Sequence, residues 1–235
     1  YSDQIDHELK ERHPYKQWLD QHIKRLIPFE DYDTKLVGTR LFNNELQLTY
    51  QKLFNYSHEE IEYCLSVLAS NGLEATGSMG DDTPIAVLSK HSRNLYDYFR
   101  QLFSQVTNPP IDSLRESHVM SLATCIGREQ NVFAETSGYA DRVVFDTPVL
   151  MYSDLKQLRE FDPVSYQSFT LDLNYDPNTQ TLKQAIKQLC AQAVDAVKTQ
   201  NVVIIVLSDR EISPTTLVIP APLALGAVQQ ALVTA

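Results

Sequence analysis

Two glycines and two adjacent aspartates crowd the stretch TGSMGDDTPIAVLS, Thr76 to Ser89, at the front of an apolar run. Backbone amides of a glycine-rich turn at a helix start cradle anions, which makes Ser78, Met79, Gly80, Asp81 and Asp82 a candidate ligand loop. The order matches neither G-x-G-x-x-G nor G-x-x-x-x-G-K-S/T. Asp81 and Asp82 would repel a phosphate unless a divalent cation stood between, and magnesium there needs further carboxylates or a bound phosphate to fill its oxygen shell. The plainer reading is a sharp, capped entry into a strand. Ser78 is not placed as a hydrolase nucleophile, because G-S-x-G is not the G-x-S-x-G elbow and the sequence positions no histidine to serve it.

A second stretch, TNPPIDSLRE from Thr107 to Glu116, is rigid for a different reason. Pro109 and Pro110 exclude helix and force Asn108 to extend. The carbonyls beside them cannot join a ladder and must face water, a partner or a ligand path. The alternative is a strand-to-helix loop with Asp112 or Ser113 as N-cap. A third stretch, LSDR at Leu207 to Arg210, ends a strand where a parallel sheet places its ligands, although Asp209 equally suits a turn cap. His118, near Arg115 and Met120 on an expected helix, reads as a surface or capping residue, and the 6 histidines show no H-x-x-x-H spacing. Cys64, Cys125 and Cys190 are widely separated with no C-x-x-C, which suits reduced cytosolic thiols and excludes a zinc or iron–sulfur site built on one loop. Cys125 reads as a small buried hydrophobe.

These loops need elements to hold them. From Asp3 to about Ile27, the residues Ile5, Leu9, Trp18, Leu19, Ile23 and Leu26 are spaced as a helical stripe, with Pro14 restarting the helix in its first turn. Asn43 to Phe54 and Ser57 to Ser70 follow as helices, the second opened by a Ser57–Glu60 capping box and closed at Asn71-Gly72. Arg93 to Phe103 and Ser113 to Leu122 are read as helices, with Ser104 to Thr107 extended between them. Arg142 to Leu150 reads as strand or strand–loop, and a helix runs from Ser153 through Glu160. Ser168–Asp176, Thr181–Gln200 and Asn201–Arg210 form a strand–helix–strand unit, the fingerprint of a parallel pair, and VVIIVL is apolar enough for burial on both faces. A last helix follows Ile219. The expected class is α/β: a helical segment over 1–75, then an α/β domain over 76–235 with a mostly parallel sheet and flanking helices.

Composition sets outer limits. With 43% hydrophobic and 21% charged residues over 235 positions, the chain is an ordinary globular protein, and it has no apolar run of membrane-spanning length. A net charge of -10 argues against nucleic acid and anionic membranes as partners, since both require clustered cations. The chain opens at Tyr1 with no signal-like region and is expected to be a piece of a longer polypeptide.

In order, GSMGDDTPIAVLS, LYDYFRQLFSQVTNPPIDSLRE, VMSL, VFDTPVL and VLSD resemble the central domain of the large chain of glutamate synthase. The likeness runs from about Pro14 to the C-terminus. It implies a cytoplasmic parent enzyme that converts glutamine and 2-oxoglutarate to two glutamates. An amidotransferase domain with an N-terminal cysteine nucleophile would precede this segment. A barrel holding FMN and a 3Fe-4S cluster, and then a β-helix, would follow it. Electrons would come from ferredoxin, or from NADPH through a small subunit carrying FAD and further clusters. The family's central domain has a fold described as a degenerate relative of the TIM barrel. It holds no cofactor, metal or catalytic residue itself; it lines an internal ammonia path, with the carbonyls of Thr107 and Asn108 on that path and Ser78 to Thr83 at an interdomain surface. Two alternatives rest on the residues alone: a free-standing module binding an amino acid or oxo acid, and a magnesium–phosphate enzyme using GSMGDD.

Overall fold

Proline 14 separates two short helices, α1 (Ser2–Glu11) and α2 (Tyr15–His22), in a computed structural model that describes residues 2–27, 43–72, 75, 84, 86–90, 93–99, 121–131 and 133–235. Pro14 is the N-cap of α2, one position ahead of the first-turn place expected for it. The helical stripe does not continue to Ile27. Ile23 leaves helical backbone at ψ 130, and Lys24–Arg25 becomes a strand, β1, because the Lys24 N–H finds the Arg142 carbonyl at 2.8 Å. Tertiary pairing overrides the local helical pattern there.

The described residues fall into two units: 43–99 form one, and 2–27 with 121–235 form the other. In the first, the side chain of Asn43 accepts the Leu46 N–H at 2.8 Å and opens α3 (Asn44–Leu53). Ser57 and Glu60 form the expected capping box at 3.1 and 2.7 Å and open α4, which runs as His58–Glu60, a π-helical turn Ile61–Leu65, and Ser66–Asn71. Gly72 ends it at φ 62, a left-handed cap that costs glycine little. The helix expected over Arg93–Phe103 is, in its described part, only a 3-10 turn, Leu95–Tyr98, from which Phe99 departs at ψ 68. The segments expected at 104–107 and at 113–120 lie outside the described residues; Ser121 and Leu122 are not helical.

The larger unit holds the sheets. Strand β3 (Val143–Phe145) lies between β1, which is parallel to it, and β2 (Thr124–Ile126), which is antiparallel. Helix α5 (Tyr152–Glu160) follows. Strand β4 (Ser168–Asp172) then pairs in parallel with β6 (Ile204–Ser208) across α6 (Leu182–Gln200), as the strand–helix–strand pattern requires. Thr181 and Gln184 cap the start of α6 reciprocally, and Asn201 ends it at φ 57. The expected strand through Asp176 breaks at Leu173. Its N–H goes to the Ser208 carbonyl at 2.8 Å and its own carbonyl accepts the Ile219 N–H at 2.9 Å. The chain thereby changes partner, and β5 (Asn174–Tyr175) pairs antiparallel with β7 (Leu217–Val218) before α7 (Ala221–Thr234) closes the unit. The class is α/β, but the mostly parallel sheet becomes three small sheets with parallel and antiparallel pairs. Among the described residues the strands do not close into a barrel.

Strand β6 organises the packing. Ile205 and Leu207 pack against a core of Leu171, Leu173, Leu189, Ile219, Ala224 and Val228, while Ile204 and Val206 belong with Val143, Phe145, Leu158 and Tyr166. Alternate residues point to opposite faces of a strand, so VVIIVL serves both cores, as its unbroken apolar character implied. Among the described residues no helix is long and apolar enough to cross a membrane.

Burial ranks the substitutions. Leu189→Ala empties a fully buried site between α6 and its strands and should cost about 2–5 kcal/mol in urea unfolding. Ser153→Ala should cost nothing or stabilise slightly, because the buried Ser153 hydroxyl has no hydrogen-bond partner to lose among the described residues.

Candidate functional site

Of the three stretches singled out in the sequence, Ser78, Met79, Gly80, Asp81 and Asp82 and then Thr107 and Asn108 lie outside the described residues, as does His118. The third is described. Ser208 stands opposite Asp172 at the carboxyl ends of β6 and β4, where an open parallel sheet leaves room for ligands. Here Leu173 and Ile219, 1% and 2% exposed, are hydrogen-bonded across those ends. Asp172 turns its carboxylate onto the Asn174 N–H at 3.0 Å, and Arg210 lays its guanidinium 4.8 Å from the Tyr152 ring centre. Asp172 and Ser208 are spent on local turns, and a hollow of about 310 Å³ opens between the end of β4 and α6, lined by Asp172, Asn174, Gln188, Gln192, Leu189 and Ile219, among others. Cys125, expected buried, is exposed: β2 is an edge strand and turns Ile126, not Cys125, to the core.

The described polar residues converge elsewhere. Lys24 on β1 and the Tyr166 hydroxyl both donate to Asp141 Oδ1, at 2.9 and 2.8 Å, and the Lys24 ammonium lies 4.5 Å from the Tyr166 ring centre. Asp162 holds Tyr166 in place by accepting from the Val164 and Ser165 N–H groups. Gly127 lets the strands approach, since a Cβ there would come within 2.9 Å of the Asp141 carbonyl oxygen and 2.8 Å of the Arg142 side chain. Arg142 is itself buried and reaches the exposed Glu129 at 3.5 Å. Three residues beyond Lys24, the Gln157 side chain accepts the Ile27 N–H at 2.9 Å and donates to the Ile27 carbonyl at 3.2 Å.

The electrostatics follow from burial and contact. Burial, the hydrogen bond to Asp141 and its negative charge push the Tyr166 phenol far above the ordinary tyrosine range. Burial alone would raise the Asp141 carboxyl, but the hydrogen bonds from Lys24 and Tyr166 and the lysine charge outweigh it and hold the carboxyl below its usual value. The phenol therefore keeps its proton and the carboxylate stays ionised at neutral pH. Such a group donates and clamps; it has no base to offer near pH 7. Among the described residues no three His, Cys, Asp or Glu side chains are grouped to hold a metal ion.

Sequence reasoning passed over Lys24, Asp141, Gln157 and Tyr166. Asp141-Arg142 immediately before an apolar strand was the available signal, because charged residues at a buried strand's entrance need partners. Tyr166→Phe keeps the ring and removes one hydrogen bond to a carboxylate, so a loss of about 1.5 kcal/mol is expected in urea unfolding at neutral pH. Asp141 stabilises the fold above its ordinary pKa near 4, and that contribution is lost as the pH falls through its depressed folded value. Solvent screening of its half-exposed side chain keeps this under about 1 kcal/mol, and Asp141→Asn should flatten the acid limb of stability against pH. Gly127→Ala should destabilise by about 1–3 kcal/mol through overpacking.

A family model described as the glutamate synthase central domain matches residues 49–235. The ferredoxin-dependent glutamate synthase of Cyanidium caldarium is 38% identical over 236 residues, 98% of this chain and 15% of that protein. The chloroplastic ferredoxin-dependent enzyme of Oryza sativa is 37% identical over 223 residues, covering 94% of this chain and 13% of its own length. The large chain of the NADPH glutamate synthase of Bacillus subtilis is 32% identical over 231 residues, 98% of this chain and 14% of that protein. The sequence thus spans about one-seventh of these relatives and aligns with both ferredoxin-dependent and NADPH-dependent enzymes. Matched over most of its length, the chain belongs to the glutamate synthase central-domain family.

Proposed function

We propose that this chain is the non-catalytic connecting domain of a cytoplasmic glutamate synthase, joining a glutaminase domain to an FMN barrel and forming part of the ammonia path between them. The observation that carries the reading is the family match over residues 49–235 within relatives about seven times as long. The parent would make two glutamates from glutamine and 2-oxoglutarate. FMN and a 3Fe-4S cluster would sit in the neighbouring barrel, with FAD on a small subunit if the electron donor is NADPH.

Three features support a connecting role. The hollow of about 310 Å³ beside the carboxyl end of β4 is lined by apolar, hydroxyl and amide side chains and by one carboxylate, Asp172, which Asn174 already engages, so among the described residues it presents no acid–base pair. At neutral pH the Tyr166 phenol keeps its proton and the Asp141 carboxylate beside it stays ionised. In the unit of residues 43–99 no described side chain is fully buried, and Leu48, Tyr63 and Leu68 stand exposed, as helices that pack on another domain would. Ser78 to Thr83 would lie at such an interdomain surface, and the Thr107 and Asn108 carbonyls would accept hydrogen bonds from passing ammonia.

The reading makes two measurable claims. The chain alone should neither hydrolyse glutamine nor retain flavin absorbance after gel filtration, and either activity would refute it. In the full-length enzyme, Pro109→Gly should free the Thr107–Asn108 loop and raise the ratio of glutamine hydrolysed to glutamate formed, while flavin reduction by the electron donor continues. An unchanged ratio would remove the ammonia-path role.

A further inference from the structure

The cleft between α2 and the 3-10 turn Ser137–Ala140 has a chemistry that the connecting role does not use. It measures about 310 Å³ and is lined by Tyr15, Trp18, Leu19, Glu135, Tyr139 and the buried Ala140, among others. Three aromatic rings and one carboxylate thus share a small apolar hollow. The rings are fixed against each other: Tyr15 meets Trp18 edge-on with centres 5.6 Å apart. His13 stacks on Trp18 at 5.3 Å, and the Arg142 guanidinium lies 5.1 Å from the Tyr139 ring centre. Each of those partners covers at most one face of its ring, and both rings still line the cleft.

Glu135 supplies the charge. Its carboxylate lies 3.3 Å from His13 Nε2 and 4.0 Å from Arg12, whose side chain is well exposed. Burial and the Glu135 carboxylate hydrogen-bonded to it raise the Tyr15 phenol above its ordinary range, which keeps that group a neutral donor. The negative π-faces and the carboxylate add in the same direction, favouring a flat or compact organic cation with an apolar stem. The chain's overall charge of -10 favours the same sign of ligand.

We propose that this cleft is a binding site for a guanidinium or alkylammonium group, held over Trp18 and Tyr15 and paired with Glu135. The same chemistry is offered by a free amine or guanidine and by an arginine or lysine side chain on another polypeptide segment. Guanidinium favours the site further, because it stacks on aromatic faces and pairs with carboxylates in one geometry.

Trp18 is the only tryptophan of the chain, so its fluorescence reports the cleft directly. The 235-residue chain would be titrated with methylguanidinium and with N-acetyl-arginine amide, and in parallel with their neutral counterparts methylurea and N-acetyl-citrulline amide. A saturable change with the cations, absent with the neutral pair, is the expected result; the tighter cation tells a free ligand from a side chain borne on protein. Glu135→Gln, an exposed position whose variant is checked for folding by circular dichroism, should weaken binding about tenfold through loss of a charge-assisted pair. The site is overturned if neither cation changes the fluorescence, if the neutral counterparts act equally, or if Glu135→Gln binds as the unaltered chain does.

Discussion

One carboxylate, that of Asp141, holds together parts of the chain that are remote in sequence. It accepts hydrogen bonds from the Lys24 ammonium in the N-terminal segment and from the Tyr166 hydroxyl ahead of β4, while the Asp141 backbone carbonyl lies where a Cβ on Gly127 would meet it at 2.9 Å. Without it, β1 would be held by two residues of parallel pairing, the Gln157 side chain, an exposed Arg25–Asp146 pair and the packing of Leu26 on the core around Val143. A two-residue strand is too short to be stable by its ladder. The ion pair, the phenol and the cation over the ring supply what the ladder lacks, with Tyr166 almost wholly buried beneath an ammonium and a carboxylate that are part-exposed to water.

The sheets depend on the same economy of short elements. None of the described strands exceeds five residues, so each must be held by side-chain packing on both faces or by a neighbour's carbonyl. Strand β6 is packed on both faces, with even-numbered residues to one core and odd-numbered residues to the other. Strand β4 meets the first core with Phe169 and Leu171, while its Ser168 and Thr170 hydroxyls engage Arg159 of α5. Leu173 and Ile219, both buried at the strand ends, then join this body to the β5–β7 pair.

How much of this was legible depended on whether the governing contacts were local. The capping box at Ser57–Glu60, the glycine cap at Gly72 and the strand–helix–strand unit are written in short windows, and the structure has them close to where they were expected. The end of α2 was not legible, because Lys24 becomes strand only when Val143 is beside it. The break at Leu173 was invisible for the same reason: SFTLDLNYD alternates smoothly, and only its two different partners divide it. For Cys125 the difference lay between a buried and an edge strand, which its neighbours in sequence do not encode. The hub around Asp141 joins residues up to 117 positions apart, beyond the reach of any spacing rule. The family, by contrast, was legible in long motifs.

The change of partner at Leu173 bears on how the unit guards against misassembly. Sliding β4 by one residue along β6 would turn Leu171 away from its core. It would also pull the Leu173 N–H from Ser208 and its carbonyl from Ile219, breaking the junction that aligns β5 with β7. Each small sheet thus proofreads the other: neither can settle in a wrong frame without the mismatch appearing in both, and two pairings that would separately tolerate slippage become a single all-or-none choice.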